Sequence, residues 1–222
     1  MPDHLGWNHQ GTKARVIVGI AGGSAAGKTT LARALAEDLG VERILHLQQD
    51  WYYRDLSHIE PGVRAACNFD HPEALEMGLL RQHLHSLRRG EVVQAPAYDF
   101  ATHTRLDDWH LLIPQEVVLV EGTLVLADPA LRELLDIRVY VDAPRETRLG
   151  RRLTRDVAER GRDVTSCLEQ HRRTVWPMHE LYVEPSRRHA DLVVLGGAVT
   201  GDSIAALARR VEECRRLAKH AS

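Results

Sequence analysis

One glycine-rich motif near the start of the chain constrains the fold more than any other segment. It reads Gly22-Gly23-Ser24-Ala25-Ala26-Gly27-Lys28-Thr29 and satisfies the pattern G-x-x-x-x-G-K-[ST]. Its glycines allow a tight turn that directs successive backbone N–H groups at phosphate oxygens. A β-branched run from Val16 to Ile20 precedes it, and a helical pattern from Thr30 to Leu39 follows. This order predicts a phosphate-binding loop, in which Lys28 reaches the β- and γ-phosphates of a nucleotide and Thr29 binds Mg²⁺.

Apolar runs alternate with helical patterns along the rest of the chain. Further strand candidates are residues 44–47, 117–120, 137–141 and 191–195, and further helix candidates are residues 72–89 and 202–219. Strands separated by helices predict a central parallel sheet between two helical layers, a three-layer α/β/α fold of the P-loop nucleoside triphosphate hydrolase type. We expect a flexible lead-in at residues 1–14 and a single P-loop domain over residues 15–222.

The charge balance narrows the possible partners. With 29 Lys and Arg against 31 Asp and Glu, the chain is close to neutral, which argues against nucleic acid and a membrane surface as partners. No apolar run approaches the roughly 18 residues that a bilayer-spanning helix needs. Cys67, Cys167 and Cys214 lack metal-binding spacing, and we expect reduced thiols in a cytoplasmic protein.

Two carboxylates follow predicted strands. Residues 117–120 run directly into Glu121, which makes this residue a candidate ligand of the magnesium ion. Asp50 follows the second strand, and the carboxyl ends of parallel strands converge on ligands. A carboxylate at that place could accept the proton of an attacking hydroxyl.

Other nucleotide-binding classes fit the sequence poorly. A GTPase needs Asn-Lys-x-Asp to recognise guanine, and the two asparagines, Asn8 and Asn68, stand in other contexts. A transport ATPase needs a signature sequence and a longer chain. A phosphotransferase with a small acceptor, or a nucleotide-binding regulator, remains.

Several blocks outside the glycine-rich motif resemble the uridine/cytidine kinase family of P-loop kinases. In the family's order they are Gln49 to Leu56, Asn68 to Pro72, Pro96 to Arg105, Glu121-Gly122 and Thr147 to Asp163. Many ATPases share the phosphate-binding loop, but Asn-Phe-Asp-His-Pro and Tyr-Asp-Phe are much more specific. The resemblance implies ATP-dependent phosphorylation of the 5′-hydroxyl of uridine and cytidine to UMP and CMP, a reaction of pyrimidine salvage.

The resemblance also assigns roles to single residues. Asp50 matches the catalytic base, which also approaches the magnesium, and Asp70 matches the acceptor of hydrogen bonds from the ribose hydroxyls. His103 matches the reader of the pyrimidine base. Further positions that line the nucleoside site are Tyr53, Phe69, Tyr98, Phe100, Arg152, Arg162 and Gln170. Positions that bind ATP are Gly22, Gly23, Ser24, Ala25, Ala26, Gly27, Lys28, Thr29, Thr30, Arg155 and Arg160, of which Lys28 and Arg155 count as catalytic.

An arginine-rich stretch supplies local positive charge. Arg148, Arg152 and Arg155 fall on one face of a predicted helix. In the family this stretch is an Arg-rich helical lid, here at about residues 145–175, which closes over the phosphates and excludes water. Gly161 could serve as its hinge.

Two positions depart from the family's pattern. Trp51 stands where smaller residues are common, and the stretch Val194 to Gly197 is shorter than the family's Pro-Arg-Gly-Gly segment. Two alternatives stay open. One is a P-loop kinase with another hydroxyl acceptor, similar to phosphoribulokinase or pantothenate kinase, and the other is a non-catalytic nucleotide-binding regulator. The resemblance further implies ATP or GTP as donor and a homo-oligomer, specifically a homotetramer.

Overall fold

A computed structural model describes residues 15–196 and 200–220 of the chain. The predicted lead-in at residues 1–14, the end of the predicted short segment at Gly197, and the side chain of Arg160 lie outside the described residues. Within the described residues, no helix combines the length and the apolar character that crossing a membrane requires.

The secondary structure alternates strands with helices. The strands are Val16–Gly22 (β1), Ile44–Gln48 (β2), Val93–Asp99 (β3), Thr104–Leu112 (β4), Val117–Glu121 (β5), Ile137–Asp142 (β6) and Leu192–Leu195 (β7). The α-helices are Lys28–Leu39 (α1), Pro61–Ala65 (α2), Met77–Arg89 (α3), Pro129–Arg132 (α4), Arg145–Arg160 (α5), Val164–Gln170 (α6), Trp176–Met178 (α7), Glu184–Ser186 (α8) and Gly201–His220 (α9). Two π-helical segments, His171–Val175 and His179–Val183, connect α6, α7 and α8. Short 3-10 turns are Val41–Arg43, Gln49–Tyr52, Pro72–Ala74 and Arg187–His189.

Five strands form one parallel sheet in the order β2-β5-β1-β6-β7. The central strand β1 places Val18 opposite Leu119 of β5 on one side and opposite Ile137 of β6 on the other. Strands β1 and β5 are buried along their whole length, which explains why their sequences are continuous apolar runs. The prediction of a central parallel sheet is confirmed.

Helices cover both faces of this sheet. On one face, Leu31 and Leu35 of α1 pack with Leu207 and Val211 of α9. On the other face, α3 contributes the buried row Leu80, Leu84 and Leu87. Complete burial of one such side chain stabilises the fold by about 1.5–3 kcal/mol, so each layer is held by its apolar stripe. The three-layer prediction is confirmed as well.

The predicted helix over residues 72–89 is wrong at its start. A 3-10 turn covers Pro72–Ala74, and α3 begins only at Met77. Between them the chain is drawn out of helical geometry, because the Glu76 N–H donates to the Tyr52 carbonyl at 2.8 Å and Leu75 pairs with Tyr53. Tertiary hydrogen bonds therefore override the local helical pattern.

An antiparallel hairpin of β3 and β4 lies outside the parallel sheet and was not predicted from the sequence. Its register shifts between Pro96 and Tyr98, because proline cannot donate to the ladder. The turn between the two strands carries His103, whose φ of 57° lies in the left-handed region. The hairpin thereby brings residues of the Tyr-Asp-Phe block to the carboxyl edge of the sheet.

Candidate nucleotide and acceptor site

A cavity of about 560 Å³ opens where β1, β2 and β5 end. Most of the predicted site residues line it: Ser24, Ala25, Gly27, Lys28, Thr29, Thr30, Asp50, Tyr53, Phe69, Asp70, Tyr98, Phe100, His103, Glu121, Arg152, Arg155, Arg162 and Gln170. Gly22, Gly23 and Ala26 are not in its lining, since the two glycines turn their carbonyls to Lys28 and Ala26 is fully buried. One cavity thus collects the residues predicted for the donor and those predicted for the acceptor.

The phosphate-binding loop joins β1 directly to α1. Gly27 caps the helix with a φ of 106°, a conformation that residues with a side chain rarely adopt. The Lys28 ammonium donates to the Gly22 carbonyl at 3.1 Å and to the Gly23 carbonyl at 3.0 Å. Burial lowers the pKa of Lys28, and the carboxylates of Glu121 and Asp50 oppose that shift. The loop thus holds Lys28 where its ammonium could reach a phosphate bound to the same loop.

Glu121 lies at the end of β5 with a partner on each carboxylate oxygen. The Thr29 hydroxyl donates to Oε2 at 3.0 Å, and Nε2 of His46 lies 3.1 Å from Oε1. Burial alone would raise the pKa of Glu121, but the hydrogen bond from His46 and the charge of Lys28, together with the Thr29 bond, hold it below its usual value. An ionised carboxylate beside a hydroxyl fits Mg²⁺, which takes oxygen ligands and is held in such sites by one or two carboxylates and substrate phosphates.

Asp50 belongs to the 3-10 turn that follows β2. The preceding Gln49 is fully buried, and its side chain accepts from the Leu124 N–H at 3.0 Å and donates to the Met77 sulfur at 3.4 Å. A side chain at Gly122 would collide with Gln49, so only glycine permits this close packing. These contacts fix the turn that carries Asp50 against the end of β5.

Aromatic side chains form another part of the cavity wall. The Tyr53 ring lies 5.8 Å from Phe69 and 5.2 Å from Tyr98, measured between centroids. The His103 ring stacks on Phe69 at 4.2 Å with an angle of 12° between the planes. The Tyr98 hydroxyl is buried and has no hydrogen-bond partner within the described part of the chain. Flat apolar faces with a few polar groups are a surface on which a heterocyclic base can stack.

Asp70 lies in the same cavity and contacts the helical region that follows α6. The Thr174 hydroxyl, in the first π-helical segment, donates to Asp70 Oδ2 at 3.0 Å. Burial raises the pKa of Asp70, while the positive charge of Arg152 and the hydrogen bond from Thr174 oppose the shift.

Asp156 of α5 is fully buried among arginines. Arg155 donates to its Oδ1 from Nε at 3.0 Å and from Nη2 at 2.8 Å. Nitrogens of Arg152 and Arg162 lie 3.5 and 3.7 Å from Oδ2. One carboxylate therefore faces three guanidinium groups that all line the cavity.

Arg152 links α5 to the phosphate-binding loop. It donates to the Ser24 hydroxyl at 2.9 Å and to the side-chain oxygen of Gln170 at 2.9 Å, and Arg162 donates to the same Gln170 oxygen at 3.0 Å. The predicted nucleoside-side residue thus also contacts the loop predicted for ATP. Arg148, predicted on the same helical face, is buried and does not line the cavity.

Some residues of this site were not predicted from the sequence. Gln48, Gly122, Thr123, Arg151 and Gly196 line the cavity, and His46 and Thr174 hydrogen-bond to predicted residues. Arg151 donates to the Gly196 carbonyl at 2.9 Å, and a side chain at Gly196 would collide with the Ala26 carbonyl. A signal existed for His46, which is the one polar residue within the predicted strand at residues 44–47.

Comparisons with known proteins agree with these observations. The model of the phosphoribulokinase / uridine kinase family matches residues 17–200. A uridine kinase of Chloroflexus aggregans is 46% identical over 197 residues, which cover 89% of this chain and 94% of that protein. A uridine kinase of Geobacillus kaustophilus is 44% identical over 203 residues, covering 91% and 95% respectively. The solved phosphoribulokinase of Rhodobacter spheroides shares the fold, with a TM-score of 0.60 at 16% identity over 81% of this chain and 69% of that one.

Proposed function

This chain belongs to the phosphoribulokinase / uridine kinase family, and from that premise we propose that it transfers the γ-phosphoryl group of ATP to the 5′-hydroxyl of uridine and of cytidine. Relatives named uridine kinase, 46% and 44% identical over 89% and 91% of the chain, support phosphorylation of uridine, a reaction of pyrimidine salvage. The predicted family and the predicted kinase class are confirmed by these matches.

The shared cavity carries the proposal. It is lined by Lys28 and Thr29 of the phosphate-binding loop and also by Tyr53, Phe69 and Asp70. Phosphoryl transfer needs little covalent chemistry from the protein, and its rate comes mainly from positioning and electrostatic stabilisation. A cavity that holds donor and acceptor together supplies the positioning.

Asp50 is the proposed base. Its carboxylate would accept the proton of the 5′-hydroxyl as that oxygen forms a bond to the γ-phosphorus and the bond to the departing ADP oxygen breaks. The buried packing of Gln49 holds the turn in place, so the carboxylate needs no rearrangement at the moment of transfer.

Cationic groups would stabilise the transferred phosphoryl group. Lys28 would exchange the carbonyls of Gly22 and Gly23 for phosphate oxygens, and Arg155 would add a second positive charge. Thr29 and Glu121 would hold Mg²⁺, which when bound offsets negative charge on the phosphates.

Side chains on the rest of the cavity wall would determine which acceptor binds. A carboxylate at Asp70 offers two acceptor oxygens to the vicinal hydroxyls of ribose, so deoxyribose leaves one interaction unmade. His103, held by its stack on Phe69, has one donor and one acceptor nitrogen when neutral. A change of tautomer would let it pair with O4 of uracil or with the N4 amino group of cytosine.

The decisive experiment measures ADP release with Mg·ATP. The acceptors are uridine, cytidine, deoxycytidine, adenosine, ribulose 5-phosphate and pantothenate. We expect turnover with uridine and cytidine, and weak turnover with deoxycytidine. Activity confined to ribulose 5-phosphate or pantothenate would discard the nucleoside assignment, and ATP binding without turnover of any acceptor would favour a regulator.

A variant at the proposed base sharpens this test. Asp50→Asn should lower kcat by about 10²–10⁴-fold, the usual contribution of a general base, while ATP affinity stays within a few fold of the wild type. Asp107→Asn makes the same change at an exposed position of β4 and should leave kcat unaltered. Normal turnover by Asp50→Asn would show that another group takes the proton.

We also propose that residues 145–175 act as a lid that closes over a bound nucleotide, with ATP or GTP as donor.

We further propose that the protein is cytoplasmic and forms a homotetramer. The support for these proposals is the resemblance to the uridine/cytidine kinase family, and sedimentation velocity would test the tetramer directly. A sedimenting species of about 25.0 kDa would indicate a monomer instead.

A further inference from the structure

Arg148 of α5 lies buried against the phosphate-binding loop, outside the lining of the cavity. A side chain built at Gly23 would collide with the Arg148 guanidinium, so this cation packs directly against the loop backbone. Its Nε donates to the Ala143 carbonyl at 3.0 Å, and its Nη2 lies 3.0 Å from Nε2 of His179. Neither hydrogen-bond partner carries a negative charge, since one is a backbone carbonyl and the other is an imidazole.

The contact with Arg148 determines the state of His179. A guanidinium can only donate hydrogen bonds, so Nε2 must accept and the ring must be neutral with its proton on Nδ1. The Glu184 carboxylate lies 3.5 Å from the same Nε2, but a proton placed there for Glu184 would point the two donors at each other across the shorter contact with Arg148. Trp176 stacks on His179 at 5.6 Å and fixes the plane of the ring.

The placement of this cation is hard to explain by packing alone. Burial, with a smaller contribution from Arg145, lowers the pKa of Arg148, and Tyr140, Glu184 and Asp142 oppose this shift. A buried charge is costly, and apolar side chains of similar volume often serve stability equally well. Arg148 packs against the phosphate-binding loop from outside the cavity. That loop is the proposed binding site of the phosphates, which are the most highly charged part of a nucleotide.

We propose that Arg148, held in place by neutral His179, is a positioning residue for the nucleotide phosphates. Its side chain supports the loop at Gly23 when Lys28 leaves the Gly22 and Gly23 carbonyls for the phosphates. Its fixed charge also favours an anion on the far side of the loop. The proposal rests on the proposed function, since it takes ATP to be the ligand of this loop.

The test compares His179→Leu with His179→Gln, because leucine removes the acceptor and the glutamine oxygen replaces it. His85→Leu is the control, because His85 is exposed on α3 and is not among the residues that line the cavity. His179 itself is 6% exposed and begins the second π-helical segment. For each protein we would measure kcat, the KM values for ATP and uridine, the dissociation constant of ADP, and the melting temperature.

We expect His179→Leu to raise KM for ATP and the dissociation constant of ADP by about tenfold, because a hydrogen bond to a charged group is lost. KM for uridine should stay within about twofold, and His179→Gln and His85→Leu should resemble the wild type in the binding of both ligands. Arg148→Met should weaken ADP binding at least as much. If His179→Leu does not fold, Arg148→Met and Arg148→Lys decide the matter through the same ADP measurement.

Two results would overturn the proposal. One is a lower melting temperature with unchanged ADP affinity, which would make the Arg148–His179 contact a purely structural one. The other is an equal rise of KM for ATP and for uridine. ADP affinity is measured without an acceptor. A wild type that binds ADP but fails to phosphorylate uridine would therefore refute the proposed function, while the ADP dissociation constants of the variants would still test the role of Arg148.

Discussion

The buried ring of His179 predicts a specific loss of stability in mild acid. Burial, and next the positive charge of Arg148, lower the pKa of His179 from its ordinary 6.5 to about 4, with smaller contributions from Lys28 and His171 in the same direction. Asp142 opposes this shift, and Glu184 is a further carboxylate nearby. The folded protein therefore keeps the ring neutral at a pH at which the unfolded chain already binds a proton.

The direction of the effect follows from proton linkage. As the pH falls from 6.5 towards 4, the unfolded state gains a proton that the folded state does not, so the free energy of unfolding falls. Below the folded pKa both states are protonated, and the contribution stops changing. The whole interval corresponds to about 3 kcal/mol, of which about 2 kcal/mol is lost by pH 5.

Urea denaturation of the wild type and of His179→Gln at pH 7 and pH 5 measures this contribution. His83 and His171 also have a lowered pKa through burial, but they are present in both proteins and cancel in the comparison. The wild type should lose about 2 kcal/mol more than the variant between the two pH values. Equal losses in the two proteins would refute the neutral buried imidazole.

Three further predictions concern the cavity. Glu121→Gln should lower kcat by about 100-fold and raise the Mg²⁺ concentration needed for the half-maximal rate, which a magnesium titration measures. An unchanged titration would show that Glu121 does not bind the metal. Tyr98→Phe removes a buried hydroxyl without a described partner, so the free energy of unfolding should stay equal or rise by up to about 1 kcal/mol in urea, and a clear loss would reveal a partner. Thr174→Val leaves Asp70 without its hydroxyl donor and should raise KM for uridine by about three- to tenfold with KM for ATP unchanged; equal shifts in both would contradict a local role.

The sequence predicts the parallel sheet well because its strands are buried on both faces. Such strands are continuous apolar runs, as β1 and β5 show, and the glycine-rich loop has a pattern that depends on its local geometry alone. Strand β4 has no such pattern, since Arg105, Asp107 and Asp108 interrupt it and, among the described strands, it pairs with β3 alone. The hairpin therefore depends on tertiary packing, which leaves no periodic pattern in the sequence.

The same division holds for the site. A place in the cavity could be predicted for Lys28, Thr29 and Glu121, because it follows from a loop motif and from a strand end. Thr174 could not be predicted, because its partner Asp70 lies 104 positions away and the π-helical segment that carries it has no sequence pattern of its own. Arg151 could not be predicted for a similar reason, since its partner, the Gly196 carbonyl, lies 45 positions further along the chain.

Asp156 has a consequence for the kinetics of nucleotide capture. Since it faces the guanidinium groups of Arg152, Arg155 and Arg162, this corner of the cavity carries more positive than negative charge among its described side chains. Dissolved anions gather around such an excess, and an arriving triphosphate must displace them. Salt should therefore slow association more than it speeds dissociation, because the field of the three arginines draws ATP in from the solvent, whereas close contacts hold it once bound.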